Sequence, residues 1–198
     1  MAARFSKWAP FPHDAKAYTY AGDALKKAWP ALHAGDQEPY PDEKRAKALM
    51  AAAGKAAKGM TADDLAQRLQ DAWRAFHRGE FQQAFEAGSA LGPVGASVAC
   101  KAIAIHATHL VDDEDEQLSR YEQAGKLAEA AIAALPGEAN SHYRYAHAMG
   151  RYSQGISIAK ALKMGIAGKV RESLDAAGLS LDCAPDHQDP EPDAWHMP

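Results

Sequence analysis

The stretch that decides the fold is Pro136–His187, which reads PGEANSHYRYAHAMGRYSQGISIAKALKMGIAGKVRESLDAAGLSLDCAPDH. Its apolar spacing predicts a helix from Glu138 to about Lys163, whose second half is an irregular helical connection, and a second helix over residues 168–181. A proline stands at each end of the pattern, and proline does not continue a helix. The stretch therefore predicts a helical hairpin with a long connection.

The chain before this stretch carries the same helical periodicity. Apolar residues recur at steps of three and four, the spacing of one face of an α-helix, and no alternating strand pattern occurs. Boundaries are set by Pro30, by a capping-box-like start at Thr61–Asp64 and by Gly79. The sequence thus predicts an all-α protein, with upstream helices over about 14–29, 41–59, 61–78, 80–91, 94–111 and 112–135.

Small residues and turn signals within these helices follow the pattern of a repeat. Ala124, Ala128 and Ala131, followed by Pro136, are spaced as in the second helix of a tetratricopeptide repeat. The helix after them offers four inward positions: His142, Tyr145, Ala146 and Met149. The segment Gly79–Ala84 matches the turn of the repeat, and residues 170–185 form a weaker copy. The chain therefore resembles a tetratricopeptide array, in which every hairpin must stack on the next.

A narrower resemblance rests on the segment HYRYAHAMGRYSQGISIAKALKMGIAGKVRESLD. The shared pattern is Gly150-Arg151-Tyr152, an apolar helical insertion, and Lys169 at the start of the next helix. Over about Leu65–His187 the chain is similar to divergent tetratricopeptide proteins related to the regulators of microtubule dynamics and to the T component of TRAP transporters. That transporter component carries an export signal, which this chain lacks, so no periplasmic role is expected. Members also continue into another repeat where this chain reads QDPEPDAWHMP.

The resemblance divides the chain into four parts. Residues 1–12 are a proline-containing lead-in, and residues 13–60 are an N-terminal helical cap. Residues 61–185 hold the repeats, with an insertion at about 152–167. Residues 186–198 are an acidic, proline-rich tail that is expected to be disordered.

Composition restricts the classes of partner. The 198 residues carry a net charge of −4, which disfavours general nucleic-acid binding. No apolar run approaches the ~20 residues of a membrane span, and no secretory signal is recognisable. Cys100 and Cys183 lie far apart in sequence and are expected to be free thiols in a reducing compartment. A cytoplasmic protein without a membrane span is expected.

Candidate sites for catalysis or metal binding are sparse. His106 and His109 lie three residues apart, with Asp112 and Asp113 just beyond, and this spacing could hold a metal ion. The histidines also fall among aliphatic residues, which favours a packing role. Phosphate-binding loops and a nucleophile elbow are incomplete, and Cys100 lies within an apolar helix, where a thiol is inert. No enzymatic activity and no cofactor are expected.

The best candidate for a binding site is the concave groove of the array. On the repeat template, four residues of one helix face this groove: Asn140, Tyr143, His147 and Arg151. Polar, aromatic and cationic groups at this spacing could clamp an acidic or C-terminal peptide. The alternative is that they decorate a solvated helix face or bond to the insertion.

Three functions follow from these observations. The first is a non-enzymatic scaffold that binds a peptide or protein in its groove. The second is a small-molecule or metal-binding protein that uses His106 and His109. The third is a homodimer formed through the incomplete C-terminal repeat, with Leu174 and Leu179 at its interface.

Overall fold

The protein is all-helical, as the sequence predicts. The computed structural model describes residues 7–54 and 59–182, and within them it has nine α-helices and no strand. The tail at 186–198, like Cys183, lies outside the described residues. The helices are α1 Ala24–Leu32, α2 Glu43–Ala53, α3 Ala62–His77, α4 Phe81–Ala90, α5 Ala96–Leu110, α6 Glu114–Ala134, α7 Ala139–Gln154, α8 Ile158–Lys163 and α9 Ile166–Asp182.

The first helix differs from its prediction at both ends. Residues 14–29 were expected to form one helix ending at Pro30, but the chain makes a short 3-10 turn at Ala15–Tyr18 and then α1. Gly22, with φ of 53°, separates the two. Helix α1 continues through Pro30, because Leu25 and Trp29 are buried and anchor its inner face.

Helices α2 and α3 show how side chains set the boundaries. Thr61 and Asp64 form a complete capping box at the start of α3, as their spacing predicts. Helix α2 was expected to run to Gly59 but ends at Ala53. Gly54 follows it with φ of 53°, a left-handed conformation that glycine adopts at little cost. Residues 55–58 lie outside the described residues.

The connection after α7 is a separate element rather than a continuation of that helix. The predicted helix from Glu138 to about Lys163 ends at Gln154, and the next one begins at Ile166 rather than at 168. Gly155 ends α7, and a Cβ there would lie 2.6 Å from Cδ2 of Leu118, so a larger residue would clash. Ser157 then caps α8 by accepting a hydrogen bond from the backbone N–H of Lys160 at 3.2 Å.

The helices pack in chain order. Each of α2 to α6 lies against the next helix, and α7 lies against α9. Helix α5 contacts both α3 and α7, so these three helices share one face of the array. The main core is formed by these three helices together with α1, α4, α6 and the start of α9, and it is rich in alanine, which lets the helices approach closely. No helix within 7–54 and 59–182 is long and apolar enough to cross a bilayer.

Candidate functional site

The face shared by α3, α5 and α7 is covered by the chain's own connecting segment, residues 33–41, which joins α1 to α2. Trp29 Nε1 donates to the carbonyl of Glu38 at 2.5 Å, and Gln70 Nε2 of α3 donates to the carbonyl of Pro41 at 2.9 Å. The ring of Trp29 also packs edge-on against Trp73 of α3. The face predicted to be an open groove is therefore partly filled from within.

Asp36 is the centre of a buried charge network on this face. Its Oδ2 accepts from Lys101 Nζ at 2.5 Å and from Arg144 Nη2 at 2.7 Å, while its Oδ1 lies 2.8 Å from His33 Nδ1. Burial alone would raise the pKa of this carboxyl. The hydrogen bond from His33 and the charges of Arg144 and Lys101 outweigh burial and hold the pKa far below its usual range. Asp36 is therefore ionised.

Glu38 completes the network on the other side of Arg144. Its Oε2 accepts from Ser97 Oγ at 2.5 Å and from Arg144 Nη2 at 3.1 Å, and Arg144 Nε donates to Ser97 Oγ at 3.1 Å. Burial acts to lower the pKa of Arg144, but Glu38 and Asp36 raise it above its ordinary value. We call Ser97, Lys101 and Arg144 the carboxylate clamp, since all three bind the carboxylates of the connecting segment.

Two histidines support the clamp in their neutral form. Burial lowers the pKa of His77 to about 3, and burial also lowers the pKa of His33 although Asp36 opposes it. Because the Asp36 carboxylate can only accept, His33 carries its proton on Nδ1. His33 Nε2 is then the acceptor of the 3.2 Å hydrogen bond from His77 Nε2. Two carboxylates thus face two cations, and the network is neutral overall.

A cavity of about 370 Å³ lies beside the connecting segment. Its size is within the range of small-ligand pockets. Residues of the segment, of α1, of α5 and of α7 line it: Leu32, Gly35, Asp36, Cys100, Lys101, Ile105, Tyr143, Arg144 and His147. The cavity therefore combines a charged wall with an aromatic and aliphatic one.

The structure separates the four predicted groove residues. Tyr143 and His147 line the cavity beside the clamp. Arg151 lines a different cavity of about 420 Å³ between α6 and α7, and Asn140 is only 3% exposed and lines neither. Tyr143 and His147 thus share one cavity that Asn140 and Arg151 do not line, and the peptide-binding role of the four residues stays a prediction. The sequence analysis did not predict the carboxylate clamp. The available signal was Arg144, which directly follows the predicted groove residue Tyr143.

Burial and three cations act on His147. Its pKa is lowered first by burial and then by the charges of Arg144, Arg151 and Lys101. Of these three cations, Lys101 and Arg144 are already paired with the carboxylates of Asp36 and Glu38, and Arg151 is exposed. An anionic group that enters the cavity would therefore meet cations that already bind carboxylates, together with the Tyr143 ring.

The histidines proposed for metal binding have different environments. His106 is fully buried, its Nδ1 lies 3.1 Å from Arg120 Nη1, and its Nε2 lies 3.3 Å from the carbonyl of Ala9. Burial and the Arg120 charge lower its pKa to about 4. Both ring nitrogens are thus engaged by the protein, while His109 is exposed. Within the described residues no group of three or more metal-ligating side chains occurs.

Arg120 also holds the N-terminal lead-in. Its Nη2 donates to the carbonyl of Lys7, and its guanidinium lies 4.5 Å from the Trp8 ring centre. The His106 region is therefore a docking point for residues 7–11 of the same chain.

The chain matches no protein-family model, no curated protein and no solved structure. The tetratricopeptide resemblance of residues 61–185 therefore stays an interpretation of the sequence. The arguments about function rest on the geometry of the clamp and the cavity.

Proposed function

We propose that the protein is a non-enzymatic interaction module of tetratricopeptide type that binds an acidic segment of a partner protein in the cytoplasm. The binding site is the cavity beside the connecting segment. The partner presents a carboxylate, from an acidic side chain or a C-terminus, to the cavity wall at Tyr143 and His147. The proposal requires no catalytic group and no cofactor.

The observation that carries the proposal is the way in which the clamp holds the chain's own acidic segment. Lys101 and Arg144 come from two different helices and converge on Asp36 at 2.5 and 2.7 Å. This contact supports carboxylate recognition on this face, because both cations already bind a carboxylate that a connecting segment supplies. The partner's carboxylate would bind in the cavity next to the Asp36 carboxylate.

The cavity supplies the remaining contacts. Tyr143 and His147 offer aromatic surfaces and hydrogen-bonding groups, and Leu32 and Ile105 offer aliphatic surface. A residue pair with one acidic and one apolar side chain suits this lining. Because Lys101 and Arg144 are neutralised by Asp36 and Glu38, we expect the affinity to depend on shape and on aromatic contacts as well as on charge.

A library of displayed random peptides with free C-termini tests the proposal. We expect the wild-type protein to enrich acidic peptides, and Tyr143→Ala with His147→Ala to weaken their binding by about tenfold or more. Arg68→Ala is the matched control, since Arg68 is an exposed residue of α3 and should leave binding unchanged. Enrichment without an acidic preference, or equal binding to the double variant, would contradict the proposal.

A homodimer is the second candidate. Leu174 of α9 is 50% exposed, which leaves an aliphatic residue free for a second copy. The mass in solution, measured by light scattering after gel filtration, separates the two candidates. A dimer should revert to a monomer in Leu174→Asp, whereas a monomeric wild type would exclude this candidate.

A further inference from the structure

The connection between α7 and α9 carries an exposed apolar pair. Ile158 is 80% exposed and Leu162 is 73% exposed, and one helical turn separates them on α8. No residue of α8, Ile158–Lys163, is buried, although Ile166 just beyond it is. These two side chains therefore add nothing to the core, and large aliphatic residues at such exposure suggest an interaction surface.

Positive charge surrounds this pair. Residues 156–171, which we call the basic elbow, contain four cationic residues and no acidic one: Lys160, Lys163, Lys169 and Arg171. The whole chain has a net charge of −4, so this local excess of cations is opposite in sign to the rest of the molecule. Lys163 and Lys169 are exposed.

The neighbouring elements neutralise only part of this charge. Lys160 hydrogen-bonds to the Tyr152 side chain, and its ammonium lies 5.3 Å from the centre of that ring. Glu122 of α6 pairs with Lys126 at 2.8 Å. Arg171 lies 3.9 Å from Asp175 of its own helix. Lys163 and Lys169 therefore carry most of the attraction for an external anion.

We propose that the basic elbow docks on an anionic lipid bilayer. Ile158 and Leu162 would enter the boundary between headgroups and acyl chains, while Lys163 and Lys169 would bind lipid phosphates or carboxylates. A bilayer suits this surface better than a protein groove does, because the side chains project from a short helix rather than line a concavity. A bilayer accepts such a projection without a shape-matched pocket.

Sedimentation of the full chain with lipid vesicles tests this proposal. The probes are vesicles of phosphatidylcholine alone and of phosphatidylcholine mixed with phosphatidylserine. We expect binding to the mixed vesicles, weaker binding at high salt, and little binding to the neutral ones. Absence of sedimentation with the mixed vesicles, or equal binding to both kinds of vesicle, would overturn the proposal.

Two pairs of substitutions separate the contributions. Ile158→Ser with Leu162→Ser removes the apolar wedge, and Lys163→Gln with Lys169→Gln removes the charge; each should reduce vesicle binding by roughly tenfold. All four residues are exposed, so these variants should keep the wild-type circular dichroism. The matched control is Lys27→Gln with Lys44→Gln, which removes two exposed lysines of α1 and α2 and should bind as the wild type does. Unchanged binding of either elbow variant would contradict the proposal.

Discussion

Asp36 and Arg144 lie 108 positions apart in the chain, yet Arg144 Nη2 is 2.7 Å from Asp36 Oδ2 and both side chains are buried. This ion pair joins the connecting segment between α1 and α2 to helix α7. It also brings the cavity-lining residues of the connecting segment next to those of α7. The arrangement of the candidate site therefore depends on this pair.

We predict that breaking the pair from either side is costly. Asp36→Asn or Arg144→Met should each lower the free energy of unfolding by about 3–5 kcal/mol, because each leaves one unbalanced charge in a buried network of two carboxylates and two cations. The double variant should cost clearly less than the sum of the two. Urea denaturation measures all three, and the exposed pair Glu43–Lys47 is the control, for which alanine substitutions should change stability far less. Additive losses would show that the two residues do not interact.

Stability should fall as the pH drops below about 6.5. Burial lowers the pKa of His77 to about 3 and that of His106 to about 4, so between these values and ~6.5 the unfolded chain binds more protons than the folded one. The free energy of unfolding then decreases by up to ~1.4 kcal/mol per pH unit for each histidine. The low pKa of Asp36 acts in a separate window, below about pH 4, where its carboxylate becomes protonated in the unfolded chain.

Denaturation at pH 7, 6 and 5 measures this slope. His77→Gln removes about one of the protons that are taken up on unfolding, so the free energy of unfolding should depend less steeply on pH. The glutamine amide can still donate a hydrogen bond to His33. His109→Gln, an exposed histidine on α5, is the matched control. A free energy of unfolding that stays constant or rises between pH 7 and pH 5 would contradict the prediction.

Gly79→Ala should destabilise the protein by about 1–3 kcal/mol. Gly79 has φ of 79°, and a Cβ there would lie 2.2 Å from Cγ of Phe11. Gly92→Ala is the control, because Gly92 has a similar φ of 64° but open space around it. Thermal denaturation of both variants isolates the contact with Phe11, and Phe11→Ala should relieve part of the loss in Gly79→Ala. Equal losses at Gly79 and Gly92 would show that the N-terminal segment does not pack there.

Cys100 should be unreactive in the native protein. Burial raises the pKa of its thiol to about 12, and its Sγ donates to the carbonyl of Ala124 at 3.3 Å. Peptide mapping after iodoacetamide treatment should find Cys100 unmodified in buffer and modified in denaturant. Modification of the native protein at neutral pH would mean that α5 and α6 separate readily.

The sequence predicted the helical content well because each helix carries its own signal. The capping box of Thr61 and Asp64, the turn at Gly79 and the apolar faces of α3 and α5 are local patterns. The helix boundaries were predicted less well, at α2 and α7 as well as at α1, whose continuation through Pro30 depends on tertiary burial of Trp29 against Trp73 rather than on a local preference.

The candidate site was only partly predictable, because its network is not local. Asp36 and Glu38 lie in a segment whose composition indicates a loop, and nothing in that pattern says which helix they bind. On α7 the repeat template selected Tyr143 and His147, which line the cavity, and passed over Arg144. The sequence shows an arginine, Arg144, next to the predicted groove positions and two acidic residues, Asp36 and Glu38, in a loop. Only the folded structure shows that they bind each other.

The central claim is that a partner's carboxylate binds beside His147, and NMR of the histidine side chains tests it most directly. The protein is titrated with the tightest acidic peptide from the display library, and the imidazole signals are followed. The account predicts a saturable shift of the His147 signals and a rise in the pKa of His147, with the His106 signals unchanged. Binding of the peptide with the His147 signals unmoved would contradict it.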